Sequence, residues 1–153
     1  MNARRIAALA ALGVVAAGVH APADAAAKKK PPVTKSYTMQ LAPVPDPPQG
    51  TPSCSRPQLE GVSIHSETLK TTGAGTLKIM VTGFAGDWDI TLYDGNHDEI
   101  AVGDGTSTGG GAPATAGTDT LELSFKKAGS YIISTCNFAG SPQAKGSYTY
   151  TYK

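Results

Sequence analysis

The sequence predicts an all-β domain, a jelly-roll-like antiparallel β-sandwich of seven or eight strands. Short stretches in which apolar and polar residues alternate follow one another from about residue 59 to the end of the chain. Glycine-containing turns separate these stretches, and no helical periodicity continues for three turns. Each such strand has one apolar face, and two packed sheets can bury these faces against each other.

The stretches that define the strands share the same two-residue period. In chain order they contain Val62 and Ile64; Leu77, Ile79 and Val81; Trp88, Ile90 and Leu92; the short run Glu99 to Val102; Leu121, Leu123 and Phe125; Tyr131 to Cys136; and Tyr148, Tyr150 and Tyr152. The sixth stretch is apolar on both faces, which predicts a central strand. The glycine-rich interval from Gly103 to Thr118 predicts a flexible surface loop.

The N-terminal segment, residues 1–25, has the composition of a signal peptide. Arg4 and Arg5 precede the apolar run Ile6 to Val19, and Ala23-Asp24-Ala25 supplies a small-x-small cleavage pattern. The apolar run is shorter than the roughly 20 residues that span a bilayer as a helix. We therefore expect an exported protein, secreted or periplasmic, with no membrane span after cleavage.

Residues 26–58 are rich in proline, which disfavours helices and central strands and predicts a linker. Within it, Tyr37, Met39 and Leu41 alternate with polar residues. This patch predicts either one added edge strand or a mobile segment. The sandwich domain itself is expected to cover residues 59–153.

The two cysteines of the chain, Cys54 and Cys136, predict one disulfide, because an oxidising export compartment favours pairing. The alternative, a catalytic thiol, requires a nearby histidine. The part of the chain after residue 25 contains only His65 and His97, and both are expected at the surface.

The charge balance after removal of residues 1–25 argues against nucleic acid as a partner. That segment contains Arg4, Arg5 and Asp24, so 13 − 2 = 11 basic and 12 − 1 = 11 acidic residues remain. Phosphate binding requires a basic surplus, and the residues after 25 have none. The charges are unevenly distributed, however, since no Lys or Arg occurs between Lys78 and Lys126.

The acidic residues within that interval suggest a weak calcium site. The candidate ligands are Asp87, Asp89, Asp94, Asn96, Asp98 and Asp104. Hard oxygen ligands at such spacing suit calcium, although Glu99 and Gly105 stand where an EF-hand loop needs Gly and Glu. The alternative is a solvated acidic turn, because Asp and Asn are common turn residues for backbone reasons alone.

Five segments, in this order along the chain, resemble those of a known family. They are Gly75–Ile79, Gly86–Asp94, Leu121–Leu123, Ala128–Ile133 and Gly146–Tyr150. In these segments the sequence resembles the bacterial pre-peptidase C-terminal domain. The resemblance implies a jelly-roll β-sandwich of the kind appended to secreted hydrolases, similar to the calcium-binding collagen-binding modules of collagenases. This sequence departs from the family pattern in its disulfide and in showing no catalytic domain beside the sandwich.

No motif in the sequence predicts catalysis. Gly-x-Ser-x-Gly, His-Glu-x-x-His and Cys-x-x-Cys are all absent, so we expect a non-enzyme. Tyr148, Tyr150 and Tyr152 either form an aromatic platform for a ligand or face the core, and the core is favoured because the sandwich needs large side chains inside. Trp88 is expected in the core because it shares parity with Ile90 and Leu92.

The function expected from the sequence is a secreted binding or accessory module for an extracellular polymer or a partner protein. Two alternatives stay open. One is a structural periplasmic or extracellular protein without a discrete ligand. The other is a secreted protease inhibitor that uses the region around Cys54 as an exposed loop.

Overall fold

The computed structural model describes residues 29–45, 54, 57–106 and 117–153. The predicted signal peptide and much of the predicted glycine-rich loop lie outside these residues. The described elements are β1 (Val33–Gln40), one 3-10 turn (Pro57–Leu59), β2 (Ile64–Thr71), β3 (Gly75–Phe84), β4 (Gly86–Asp94), β5 (Glu99–Thr106), β6 (Gly117–Phe125), β7 (Gly129–Gly140) and β8 (Gln143–Tyr152). The loop between β5 and β6 is shorter than the sequence predicted, since both strands extend into the interval from Gly103 to Thr118.

The strands form two four-stranded antiparallel sheets. Sheet A has the order β1-β8-β3-β6, and sheet B has the order β2-β7-β4-β5. β7 lies between β2 and β4, as its apolar residues on both faces predicted. The chain passes repeatedly from one sheet to the other, in the strand order of a jelly roll. The predicted all-β, jelly-roll-like sandwich is therefore confirmed.

The core lies between the sheets and follows the alternation in the sequence. Trp88, Ile90 and Leu92 of β4 are fully buried and face Ile79 and Val81 of β3 across the sandwich. The indole Nε1 of Trp88 donates a hydrogen bond to the carbonyl of Ser141, so its polar atom is satisfied inside the apolar layer (3.2 Å).

The tyrosines of β8 also face the core. Tyr148 and Tyr150 are buried, and the Tyr150 hydroxyl donates to the carbonyl of Gly73 at 2.8 Å. Tyr152 is partly buried, with its ring centroid 5.1 Å from that of Tyr150. The core alternative is confirmed, and the aromatic platform is wrong because two of its three rings are enclosed by the second sheet.

The patch around Tyr37, Met39 and Leu41 forms the added edge strand, not a mobile segment. β1 pairs with β8 over its whole length, from Val33 opposite Tyr150 to Gln40 opposite Gln143. Met39 and Leu41 are buried in the core. The folded domain therefore starts before residue 59, because the apolar face of β1 completes sheet A.

We call residues 41–63, between β1 in sheet A and β2 in sheet B, the crossing segment; Val44, Cys54 and Leu59, among its described residues, pack on the outer face of sheet B. Its described part places Val44 and Leu59 on Ile64 and Cys136, which form a second, smaller apolar cluster. Cys54 forms the expected disulfide with Cys136, with the two Cα atoms 5.9 Å apart.

The crossing segment corrects the expected orientation of β2. Ile64 faces outward beneath that segment, whereas Val62 precedes β2 and is 51% exposed. His65 consequently faces inward at the edge of the sandwich, not toward solvent, and its ring centroid lies 5.0 Å from that of Tyr37. The two-residue period of β2 is as the sequence predicts. The predicted core face, that of Ile64, is instead the outer face that the crossing segment covers.

We predict that reducing the disulfide destabilises the domain strongly. Opening a cross-link of 82-residue separation removes about 4 kcal/mol in the chain-entropy model. For a domain of this size the melting midpoint should fall by about 15–30 °C in reductant. The variant carrying Cys54→Ala and Cys136→Ala is the control and should show no reductant effect. An unchanged midpoint for the wild-type protein would contradict the prediction.

Candidate functional site

The outer face of sheet A presents mostly small hydroxyl side chains. Outward positions on its four strands are those opposite in parity to the core residues, and eleven of them are Ser or Thr: Thr34, Ser36, Thr38, Thr76, Thr82, Thr118, Thr120, Ser124, Ser147, Thr149 and Thr151. The remaining six are Gln40, Lys78, Met80, Glu122, Gln143 and Lys145. We call this surface the hydroxyl face.

The register places these side chains in rows across the strands. Thr34 and Thr149 are close neighbours, with hydroxyl oxygens 3.3 Å apart, and the hydroxyls of Thr76 and Ser124 are 3.1 Å apart. Such cross-strand contacts restrict the side chains to a common geometry. The hydroxyl face therefore presents rows of hydrogen-bond donors and acceptors that run across the strands.

The charges on the hydroxyl face are few. Lys78 is the register partner of Glu122, so opposite charges stand side by side on β3 and β6. Lys145 is opposite Thr38 on one side and Thr82 on the other. Its ammonium group is thus surrounded by neutral hydroxyl-bearing residues.

A shallow depression of about 310 Å³ opens on the hydroxyl face at its β1–β8–β3 part. It is lined by Ser36, Tyr37, Thr38, Thr82, Lys145, Gly146 and Ser147. Gly146 is required here because the ring of Tyr37 occupies the space that a Cβ atom would need. The volume is at the lower end of the range for small-molecule sites.

The outer face of sheet B differs from the hydroxyl face because it carries carboxylates and is partly covered by the crossing segment. The crossing segment covers Ile64 and Cys136 at one end. Beside it the face carries the carboxylates of Asp87 and Asp89, and further along it the 50% exposed side chain of Val102. Ser and Thr also occur on this face, at Ser66, Thr68, Thr91, Ser130 and Ser134, but they are fewer than the eleven on sheet A and stand among carboxylates and apolar side chains.

A polar cluster closes the edge of the sandwich behind the depression. Lys35 of β1 forms an ion pair with Glu67 of β2, and His65 Nε2 lies 3.1 Å from Glu67 Oε1. Burial opposes ionisation of Glu67, but the hydrogen bonds from Lys35 and His65 outweigh it and lower the pKa of the carboxyl group. Burial raises the pKa of Tyr37 next to this cluster.

The predicted calcium ligands fall into two separate groups along β4. Asp94 ends the strand, and its Oδ1 accepts from the backbone N–H groups of Asn96 at 2.7 Å and Asp98 at 3.0 Å. Both hydrogen bonds lower the pKa of Asp94, and the bond from the Asp98 backbone has the larger effect. The group is a turn closed by its own carboxylate.

The second group lies toward the start of β4, on the opposite side of the strand. Asp89 is the register partner of Asp104, and its Oδ2 lies 3.5 Å from the disulfide sulfur of Cys54. Asp89 and Asp94 are five residues apart on one strand, about 16 Å. Within the described residues no three His, Cys, Asp or Glu side chains come together as possible metal ligands.

The hydroxyl face was missed in the sequence analysis, although its signal was present. The polar partner of each apolar strand position is a Ser or Thr in most of β1, β6 and β8. Which of these polar faces belong to one surface depends on the strand order, and the sequence does not give that order.

Comparison with known proteins gives no family. No family model matches the chain, and no curated protein matches it. Among solved structures, the chain resembles the virus-like particle of the extra small virus of the giant freshwater prawn Macrobrachium rosenbergii at 12% identity and a TM-score of 0.24, over 80% of this chain and 79% of the viral one. Within the described ranges no helix is long and apolar enough to cross a membrane.

We predict that the Glu67 cluster contributes stability only above mildly acidic pH. Because its folded-state pKa lies below the ordinary value of 4.5, the contribution is present above 4.5 and is lost as the pH falls through the lowered pKa. Near pH 6 Glu67→Gln should lower the melting midpoint by about 2–5 °C. The difference from wild type should shrink on acidification, and a constant difference would contradict the prediction.

The calcium site stays a prediction, and the separation of its ligands sharpens the test. A weak extracellular site, with a dissociation constant near 1 mM, should raise the melting midpoint by about 5–10 °C in about 10 mM calcium against chelator at matched ionic strength. Asp89→Asn and Asp94→Asn, made separately, would show which group binds. An unchanged melting curve for the wild-type protein would leave both groups as surface charge.

Proposed function

We propose that this protein is a secreted, non-catalytic binding module whose hydroxyl face holds a neutral extracellular polysaccharide. The observation that carries the proposal is the concentration of Ser and Thr on one four-stranded surface. The opposite surface of the same sandwich has fewer Ser and Thr side chains, and they stand among carboxylates, apolar residues and the crossing segment.

A polymer suits this face better than a small isolated ligand. A neutral hydrogen bond between hydroxyls contributes only about 0.5–1.5 kcal/mol net, because both groups leave water to form it. Useful affinity therefore requires many contacts made by one ligand. Strands about 4.8 Å apart, with outward residues about 6.8 Å apart along each strand, offer repeating contacts to a repeating chain of hydroxyl groups.

The depression is the position on the hydroxyl face where one sugar ring of the polysaccharide binds. Its volume of about 310 Å³ can accept one sugar ring, and its walls supply hydroxyls on three sides. Lys145 adds a flexible donor with three N–H bonds. The ring of Tyr37 lies behind the depression, on the inner side of sheet A, where it contacts His65 and fills the space beside Gly146.

Export of the protein is part of the proposal. The disulfide between Cys54 and Cys136 supports it, since such bonds persist in oxidising compartments. The apolar N-terminal run and the resemblance to the pre-peptidase C-terminal domain, a module of secreted proteins, point the same way.

We predict that Thr38→Glu weakens retention on the polysaccharide by tenfold or more. The purified protein is tested for co-sedimentation with insoluble cell-wall and matrix polysaccharides. A carboxylate at position 38 stands opposite Lys145, so it fills the depression with an ion pair while preserving the strand. Loss of two or three hydrogen bonds at about 1 kcal/mol each should weaken binding by tenfold or more.

Thr68→Glu is the matched control. Thr68 is also an exposed threonine on an edge strand, but it lies on β2 of sheet B. This variant should bind like wild type. Equal loss in both variants, or no retention of wild-type protein on any polysaccharide of the panel, would reject the hydroxyl face as the binding surface.

A further inference from the structure

Three connections and both ends of the described chain meet at one end of the sandwich. The Thr71 hydroxyl and the backbone of Gly129 are hydrogen-bonded to each other, which joins the β2–β3 and β6–β7 connections. The backbone N–H of Lys153 donates to the carbonyl of Ala74 at 3.2 Å. The β4–β5 turn lies at the same end of the sandwich, because Asp94 is the register partner of Tyr131 near the start of β7.

This end carries most of the lysines that the structure describes. They are Lys29, Lys30, Lys70, Lys126, Lys127 and Lys153, six of nine, and all six are exposed. Lys30 Nζ contacts the Thr72 hydroxyl and lies 4.8 Å from the ring centroid of Tyr152, so the start of the described chain is held here. We call this surface the lysine end.

Among the described residues, the acidic side chains at the same end are confined to one hairpin. Asp94, Asp98 and Glu99 lie at the β4–β5 turn, on the β5 side of sheet B. The carboxylate of Asp94 is already engaged by the backbone of its own turn. The remaining end surface, next to β1, β2 and β7, is dominated by ammonium groups.

The opposite end of the sandwich is acidic. Glu60, Asp87, Asp89 and Asp119 all lie toward it, whereas Lys145 is its one lysine among the described residues. Among the described side chains, the lysine end therefore has an excess of positive charge and the opposite end an excess of negative charge. Near an anionic surface, electrostatic attraction orients such a molecule with its lysine end toward that surface.

We propose that the lysine end docks on a membrane surface rich in anionic phosphate headgroups. Its lysines project from separate loops and strand ends across two sheets that lie about 10 Å apart, so they form a broad surface and not a groove for a single polyanion strand. Clusters of four to eight basic residues bind anionic membranes in this way. Tyr152, half-buried beneath Lys30, supplies an amphipathic ring at the same boundary.

Vesicle co-sedimentation tests the proposal. The processed protein is purified after export, and mass spectrometry establishes that Lys29 and Lys30 are present. It should bind vesicles of phosphatidylcholine mixed with phosphatidylglycerol at physiological salt, where the Debye length is about 8 Å, and it should not bind phosphatidylcholine alone. Binding should disappear at 1 M salt, where the Debye length is about 3 Å.

The combined variant Lys126→Gln and Lys127→Gln should weaken binding to the mixed vesicles about thirtyfold, because each lysine near an anionic surface contributes about 1 kcal/mol. The control, Lys78→Gln with Lys145→Gln, removes the same charge from the hydroxyl face. It should change vesicle binding by less than about twofold, since those positions lie beyond a Debye length from the docked surface at physiological salt.

Three results would overturn the proposal. One is equal binding to neutral and anionic vesicles. Another is equal weakening by the two paired variants, which would mean that net charge alone matters. The last is tight binding to inorganic polyphosphate in solution without binding to anionic vesicles, which would assign the lysine end to a soluble polyanion.

Discussion

The buried side-chain amide of Asn137 is the interaction on which the rest of the structure depends. Its Nδ2 donates to the carbonyls of Leu41 at 2.8 Å and Ser141 at 3.1 Å. Its backbone N–H donates to Ser63, and its carbonyl accepts from Val44. One residue of β7 thereby holds the beginning and the end of the crossing segment, and the β7–β8 turn as well. With the disulfide at the neighbouring residue, it fixes β1 against β8.

The position of β1 has a direct consequence for the proposed function. Without β1, sheet A would have three strands, and the depression would lose Ser36, Tyr37 and Thr38 from its wall. The same strand carries Lys35 to its ion pair at the sandwich edge. Docked by its lysine end, the domain would hold the hydroxyl face roughly perpendicular to the membrane, where a polymer strand can reach it.

Much of the fold could be predicted from the sequence, because alternation is a local signal. The inner faces of β3 and β4 follow directly from residues such as Ile79 and Trp88. Alternation does not say which face is the core when both are covered, so Ile64 and His65 were assigned to the wrong sides. The hydroxyl face and the lysine end depend on which strands and turns are neighbours in space. Those neighbours are set by packing between distant segments, which no local pattern encodes.

Amide hydrogen exchange of Asn137→Ala tests most directly whether this amide holds β1 in place. The substitution leaves the buried carbonyl of Leu41 without its side-chain donor, at a cost of about 1–3 kcal/mol, whereas the carbonyl of Ser141 keeps the hydrogen bond from Trp88 Nε1. The account predicts that protection falls most at Val33–Gln40, while the amides of β3 and β4 exchange at nearly their wild-type rates. Unchanged protection in β1, with the loss spread evenly over both sheets or absent altogether, would contradict it.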